Sequence, residues 1–243
     1  MIRIVTDSAA DLTAEELSVP GIFVVPLSVT FADGTTQLDD GTMTKDEFFV
    51  RLAEDSKLPR TSQPSPASFM QVYEDAAAAG DEVLVITIGQ KLSGTYQCAK
   101  LAADMANVDN VLFVDSGHVC LSEALLVRLA VQLRDSGKTA GQIAAILEHA
   151  KEHLHLVAAI DDLKYLRKGG RISGASALVG SLLQIKPILR GNEEGKIVLF
   201  DKARGKLRAI ERLVSIYKER AIDLDDLIGI SHGDCPGEAL RLE

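Results

Sequence analysis

Residues 83–99, VLVITIGQKLSGTYQCA, limit the fold more than any other stretch of this chain. Residues 83–88 form a short apolar run rich in β-branched side chains. Gly89 to Lys91 interrupt it, and a helical pattern starts near Ser93, so the unit reads strand, loop, helix entrance. The first N–H groups of a helix lack internal acceptors and sit at the positive end of its dipole, so such a junction favours a carboxylate or phosphate. Ser93 and Thr95 add hydroxyl donors there, and Gly94 lets a ligand oxygen approach the backbone. The plain alternative is that Ser93 merely caps the helix.

The rest of the first two-thirds repeats this grammar. Residues 2–5, IRIV, read as a buried strand ending at Thr6-Asp7-Ser8, and Thr13 with Glu16 fits a capping box. Asp7 and Ser8 fall at the carboxyl edge of that strand, where open parallel sheets bind ligands; loop hydrogen bonding and capping would use them equally well. Residues 23–31 read as a second strand with an edge or bulge at Pro26, turned by Asp33-Gly34, and residues 44–51 as a helix. Residues 57–68, KLPRTSQPSPAS, break the pattern: three prolines hold the chain extended and leave Thr61, Ser62 and Ser65 as donors outside any regular element, in a ligand-binding loop or a plain linker. Ser65 or Pro66 then starts a helix through residue 79. A strand at 111–115 ends in Asp-Ser, an unusually apolar helix follows at about 119–134, a further helix at 139–153, and a strand at 154–160 closes the series. Strands alternating with helices predict a three-layer, mostly parallel α/β domain over residues 1–160.

Charge changes along the chain. Net charge is -9 overall, yet residues 163–212 hold 12 basic and 4 acidic residues, net +8, a local basic surface suited to an anionic group or an acidic partner. Within it, residues 163–173, LKYLRKGGRIS, place four cations around a Gly-Gly break that would end a helix and present Arg171. A small-residue helix over 173–183, an extended exit at Pro187, strands at 196–200 and 228–231 and a basic helix at 206–220 predict a second, smaller α+β domain over residues 161–243.

Aromatic residues are 5% of the chain and Trp is absent, which with the acidic balance argues against a nucleic-acid binder. Cys98, Cys120 and Cys235 are odd in number and lack metal-ligand spacing, so free thiols in a reducing cytoplasm are expected. No apolar run is long enough to span a bilayer, and the protein is expected not to be membrane-integral. His149 and His153 are spaced i, i+4, but no HExxH carboxylate accompanies them, so no metal site is expected. No GxSxG, Walker loop or GxGxxG pattern appears. Hydroxyl-rich loops, a basic turn and apolar lining suggest a polar mouth over an apolar pocket.

Seven short motifs then fall in one order: TDS at 6–8, TSQPSP at 61–66, LSGTYQ at 92–97, VDS at 114–116, YLRKGGRIS at 165–173, LLQIKPIL at 182–189 and HGD at 232–234. This series resembles the DegV family across nearly the whole chain. The resemblance implies a two-domain fatty-acid-binding protein with its ligand pocket between the domains, using no cofactor and performing no catalysis itself, that presents the bound carboxylate to a partner fatty acid kinase for ATP-dependent acyl phosphate formation in phospholipid metabolism. It implies that Thr61 and Ser93 hydrogen-bond the carboxylate, with Ser62, Gly94 and Thr95 beside them, that Arg171 is the cation near the head group, and that Arg204 docks the kinase. The family pattern continues past HGD to a His-x-Gly-Pro-Gly motif whose histidine joins the carboxylate network. The sequence ends at Glu243 without it, so either the sequence is truncated or the site lacks that group, and His232 is not its equivalent. Two functions from other classes stand beside the carrier: a lipid hydrolase with Ser93 as acylated nucleophile, and a phosphate- or nucleotide-binding regulator.

Overall fold

A computed structural model describes residues 1–55, 57–173, 184–220 and 228–242. The chain separates into two compact units, Met1–Leu154 and His155–Glu243.

In the first unit, β1 (Ile2–Asp7) leads through a 3-10 turn to the short helix α1 (Ala14–Leu17), capped by the reciprocal Thr13–Glu16 pair. Next come β2 (Ile22–Val25), β3 (Ser28–Thr30), β4 (Thr36–Leu38), α2 (Lys45–Glu54), β5 (Arg60–Ser62) and α3 (Pro66–Ala79). β6 (Glu82–Thr87), α4 (Thr95–Ala106), β7 (Val111–Asp115), α5 (Leu121–Asp135) and α6 (Ala140–His153) complete the unit. Four parallel strands form the central sheet in the order β2-β1-β6-β7. The pleat sends alternate side chains to opposite faces. Val5, Val83 and Val85 meet Phe69, Tyr73 and Ala76 of α3 and Cys98, Ala99 and Ala102 of α4. On the other side Ile4, Leu84 and Ile86 meet Leu126, Val127 and Ala130 of α5 and Ile143 and Leu147 of α6. Three layers result, with β6 buried from Val83 to Thr87.

Several local expectations need correction. The segment 23–31 is not one strand: it breaks at Pro26-Leu27 into β2, on the edge of the parallel sheet, and β3, which pairs antiparallel with β4 and β5 in a separate three-stranded sheet. Proline lacks the donor that would continue the ladder. The Pro/Ser segment is not wholly irregular either, because Thr61 and Ser62 lie on β5, opposite Val29 and Ser28.

The second unit contains β8 (Val157–Ala159), α7 (Lys164–Gly169), β9 (Ile172–Ser173), β10 (Ile185–Gly191), β11 (Ile197–Arg204), α8 (Lys206–Arg220) and α9 (Pro236–Ala239). Its sheet runs β8-β10-β11-β9, with antiparallel pairing except between β11 and β9. The strand expected at the close of the first α/β series therefore belongs here, since β8 pairs with β10. Pro187 sits in extended β10 and its carbonyl accepts from Ile160 N at 2.9 Å. Ala209, Leu213 and Ile216, spaced i, i+4, i+7 on α8, pack on Ile188, Phe200 and Ala203. Residues 228–231 form no strand, and Ile228 is 55% exposed: apolar alternation favours a strand only where a partner edge receives it. The helix expected over 173–183 lies, beyond Ser173, outside the described residues. Among the described residues no helix is long and apolar enough to cross a membrane.

Candidate functional site

The carboxyl ends of β1, β6 and β7 are tied together by two carboxylates, buried Asp7 and half-buried Asp115. Asp7 Oδ2 accepts from Ile88 N at 2.8 Å and Oδ1 from Ala9 N at 3.0 Å. Asp115 Oδ1 accepts from Gln90 N at 3.0 Å and Gly117 N at 3.1 Å. The two loops also touch through their backbones: Gly89 N donates to His118 O at 2.8 Å, and a Cβ on Gly89 would stand 2.9 Å from Gly117 C. Asp7 is thus spent on holding the loop that leads to Ser93. Ser8 is spent likewise, accepting from Leu27 N at 3.1 Å.

That loop delivers Ser93, Gly94 and Thr95 to the entrance of α4. The helix begins at Thr95, two residues after Ser93, and its cap residue Gly94 has no side chain to offer. Ser93 Oγ lies 2.8 Å from Thr95 Oγ1 and accepts from Thr95 N at 3.3 Å. Thr95 is buried, Ser93 half-buried and Gly94 exposed, so the hydroxyl pair marks the boundary between core and surface. Among the described residues the Ser93 hydroxyl takes its hydrogen bonds from Thr95 alone.

The Thr61-Ser62 segment meets this entrance. A Cβ on Gly94 would collide with Gln63 Oε1 and stand 3.1 Å from Gln63 Cδ. One turn into α4, the Cys98 thiol donates to Pro64 O at 3.1 Å. Burial raises its pKa, so Cys98 is a neutral packing thiol. Thr61 and Ser62 themselves are exposed. Two hydroxyl-bearing segments about 30 residues apart therefore border one helix N-terminus, whose unpaired N–H groups attract anions.

Behind the loops lies an acid that sequence reading passed over. Glu123 is fully buried; Oε1 accepts from Thr6 Oγ1 at 3.2 Å, and among the described residues Oε2 has no hydrogen-bond partner. Burial, then the charge of Asp7, raise its pKa well above 4.5. Asp7 itself is pushed up to about 6, chiefly by burial. Cys120 is pushed up to about 12 by burial and the nearby Asp11 charge, the reverse of a reactive thiol. A signal for Glu123 exists in the sequence, since with Leu126, Val127 and Ala130 it completes an i, i+3, i+4, i+7 stripe.

In the second unit, Gly170 ends α7 with φ 71°, a left-handed conformation suited to glycine, and its N–H closes the helix onto Arg167 O and Leu166 O. Arg171 follows immediately, exposed, with its guanidinium donating to Gly169 O. Arg204, also exposed, ends β11 in register with Ile185. Part of the basic surface is neutralised locally: Lys186 and Lys206 pair with Asp161 at 2.8 and 3.4 Å, and Arg212 with Asp201 at 2.6 Å. Lys202, Arg204 and Arg208 are exposed around the β11–α8 junction.

A concavity lined by Met1, Ile2, Gly80, Glu82 and Arg134 sits at the amino ends of the parallel strands, away from every hydroxyl residue above. The carboxyl edge is the better candidate, because the helix N-terminus and the hydroxyl pair lie there. His149 and His153 stack edge-on at 4.6 Å, both exposed, and among the described residues no group of three metal-ligating side chains gathers.

Comparison with known proteins gives a consistent picture. A family model described as an uncharacterised protein of the DegV family matches residues 1–243. A DegV domain-containing protein of Caldanaerobacter subterraneus is 36% identical over 234 residues, covering 96% of this chain and 82% of the relative. The crystal structure of a fatty acid binding DegV family protein from Streptococcus agalactiae superposes with a TM-score of 0.90 at 30% identity, covering 100% of this chain and 86% of the other. A stearic acid-binding protein from Eubacterium ventriosum gives 0.81 at 30% identity, covering 91% and 77%.

Proposed function

The chain belongs to the DegV family, and from that premise we propose that it binds a long-chain fatty acid in an apolar pocket and presents the carboxylate to a separate ATP-dependent kinase. The observation that carries the ligand reading is the meeting of the Thr61-Ser62-Gln63 segment with Gly94 at the entrance of α4, in a chain whose solved relatives bind fatty acids. The helix N-terminus supplies N–H donors and positive potential, and the hydroxyls of Thr61, Ser62, Ser93 and Thr95 add directional donors. In this reading Arg171 is assigned to the ligand carboxylate as its cation.

The acyl chain dominates affinity. About 14 methylenes at roughly 0.8 kcal/mol each contribute up to about 11 kcal/mol before the costs of ordering are subtracted. Head-group donors then select an acid over an ester or alcohol and fix its orientation. In this reading the protein is a carrier, Arg204 and its basic neighbours form the docking face, and the setting is the cytoplasm, where Cys98, Cys120 and Cys235 stay reduced. Acyl phosphate made on the partner would feed phospholipid metabolism.

The deciding experiment is solvent extraction of the purified protein followed by mass spectrometry. A stoichiometric free fatty acid is expected. Recovery of a nucleotide with no lipid would replace this reading with that of a phosphate-binding regulator. An acyl adduct on Ser93 after incubation with an activated acyl ester would make the protein a hydrolase.

A further inference from the structure

We infer that Gln63 is a positioning residue: its carboxamide packs against Gly94 at the entrance of α4 and so sets the spacing between the two hydroxyl-bearing segments that receive the ligand head. The inference rests on the carboxylate reading of this site and adds to it a residue that acts by holding the two segments in place.

Three observations carry it. Gly94 has φ -78° and ψ 4°, a conformation open to any residue, so its backbone does not call for glycine. What the position needs is room, and Gln63 Oε1 fills the space where a side chain would be, with Gln63 Cδ 3.1 Å from an added Cβ. One turn further along α4, Cys98, 3% exposed, donates to Pro64 O at 3.1 Å, so residues 63 and 64 both bear on this helix. Finally, Thr61 and Ser62 are held on one side by pairing with β3, so contacts made by the next two residues decide where they stand relative to α4. Gln63 is exposed as a whole, so truncating it removes the contact with Gly94 without opening the core.

A methyl group at position 94 would push the flexible end of Gln63 aside. Gly94→Ala should therefore act through Gln63, and the two changes should not add. The test partitions radiolabelled stearic acid and, separately, octadecan-1-ol between phospholipid vesicles and delipidated protein. The alcohol has the same chain without the carboxylate. The unaltered protein should prefer the acid. Gln63→Ala should lose about tenfold for stearic acid and nothing for the alcohol, as expected for head-group donors moved out of line. Gly94→Ala should show the same selective loss, and the double variant no more than either alone. Equal losses for acid and alcohol would assign Gln63 to general structure and overturn the inference. So would acid preference left intact in Gln63→Ala, or losses that add in the double variant. An unaltered protein that holds acid and alcohol equally would remove the carboxylate reading itself, a failure visible before any variant is made.

Discussion

Asp7 Oδ2 accepts a hydrogen bond from the Ile88 backbone N–H at 2.8 Å, joining the end of β1 to the first residue beyond β6 across 81 positions of sequence. Both groups are buried, and the loop that starts at Ile88 carries Ser93 and Gly94 to the helix entrance. Asp7→Ala should leave the Ile88 N–H without an acceptor, at a cost of about 1–3 kcal/mol. Urea denaturation should show the loss, and amide exchange at Ile88 should accelerate more than at Val85. An unchanged urea midpoint would mean that the loop is held by other contacts. Asp7→Asn keeps one acceptor oxygen and should cost less.

Glu123 predicts how stability varies with pH. Its pKa in the folded protein is raised above 4.5 by burial and by Asp7, with Asp11 and Asp115 adding in the same direction and Thr6 opposing. Between the unfolded and folded values the native state holds the proton that the unfolded chain releases, so this contribution is full below about pH 4.5 and falls as pH rises. Asp7 acts in the same sense between 3.8 and about 6. Glu123→Gln keeps the shape and the acceptor for Thr6 but cannot ionise. Its melting temperature minus that of the unaltered protein should therefore increase from pH 5 to pH 8; parallel curves would show that Glu123 is already ionised in the folded protein throughout this window.

Thr61→Ala and Ser93→Ala test the head-group site directly. Each removes a hydroxyl hydrogen bond to a charged group, worth roughly 1.5–3 kcal/mol, or about tenfold to a hundredfold in affinity. Thr61 is exposed, and the Ser93 hydroxyl bonds locally to Thr95, so ligand-free melting temperatures should change little. Stearic acid bound as before in both variants would place the head group elsewhere.

Features written in neighbouring residues were legible, and those that depend on distant partners were not. The capping box at Thr13–Glu16 and the strand-loop-helix over 83–99 each follow from a few adjacent side chains. By contrast Thr61 and Ser62 become a strand because β3, some 30 residues earlier, receives them, and β8 joins the second sheet because β10 does. Nothing local in either segment names its partner. The Gln63–Gly94 contact was hidden for the same reason. Glu123 is different: it lies on a stripe with Leu126, Val127 and Ala130, but nothing in that stripe names Thr6, 117 positions earlier, as its hydrogen-bond partner.

The basic surface of the second unit yields the last prediction. Lys186, Lys206 and Arg212 are engaged by Asp161 and Asp201, which discounts the net +8 of residues 163–212 as a long-range field. Exposed Arg204, with Lys202 and Arg208 near it, is then the group through which an acidic kinase face would be recognised. In a reconstituted kinase assay Arg204→Ala should reduce phosphorylation of the bound acid while leaving stearic acid binding intact. The loss should shrink as salt rises, because screening weakens the unaltered protein's encounter as well. Arg171→Ala should impair both binding and turnover, since its charge is assigned to the head group. Loss of ligand by Arg204→Ala with Arg171→Ala unaffected would reverse the two roles. Unchanged turnover in both variants at low and high salt would move the docking face away from this surface and leave its charge as ordinary solvated polarity.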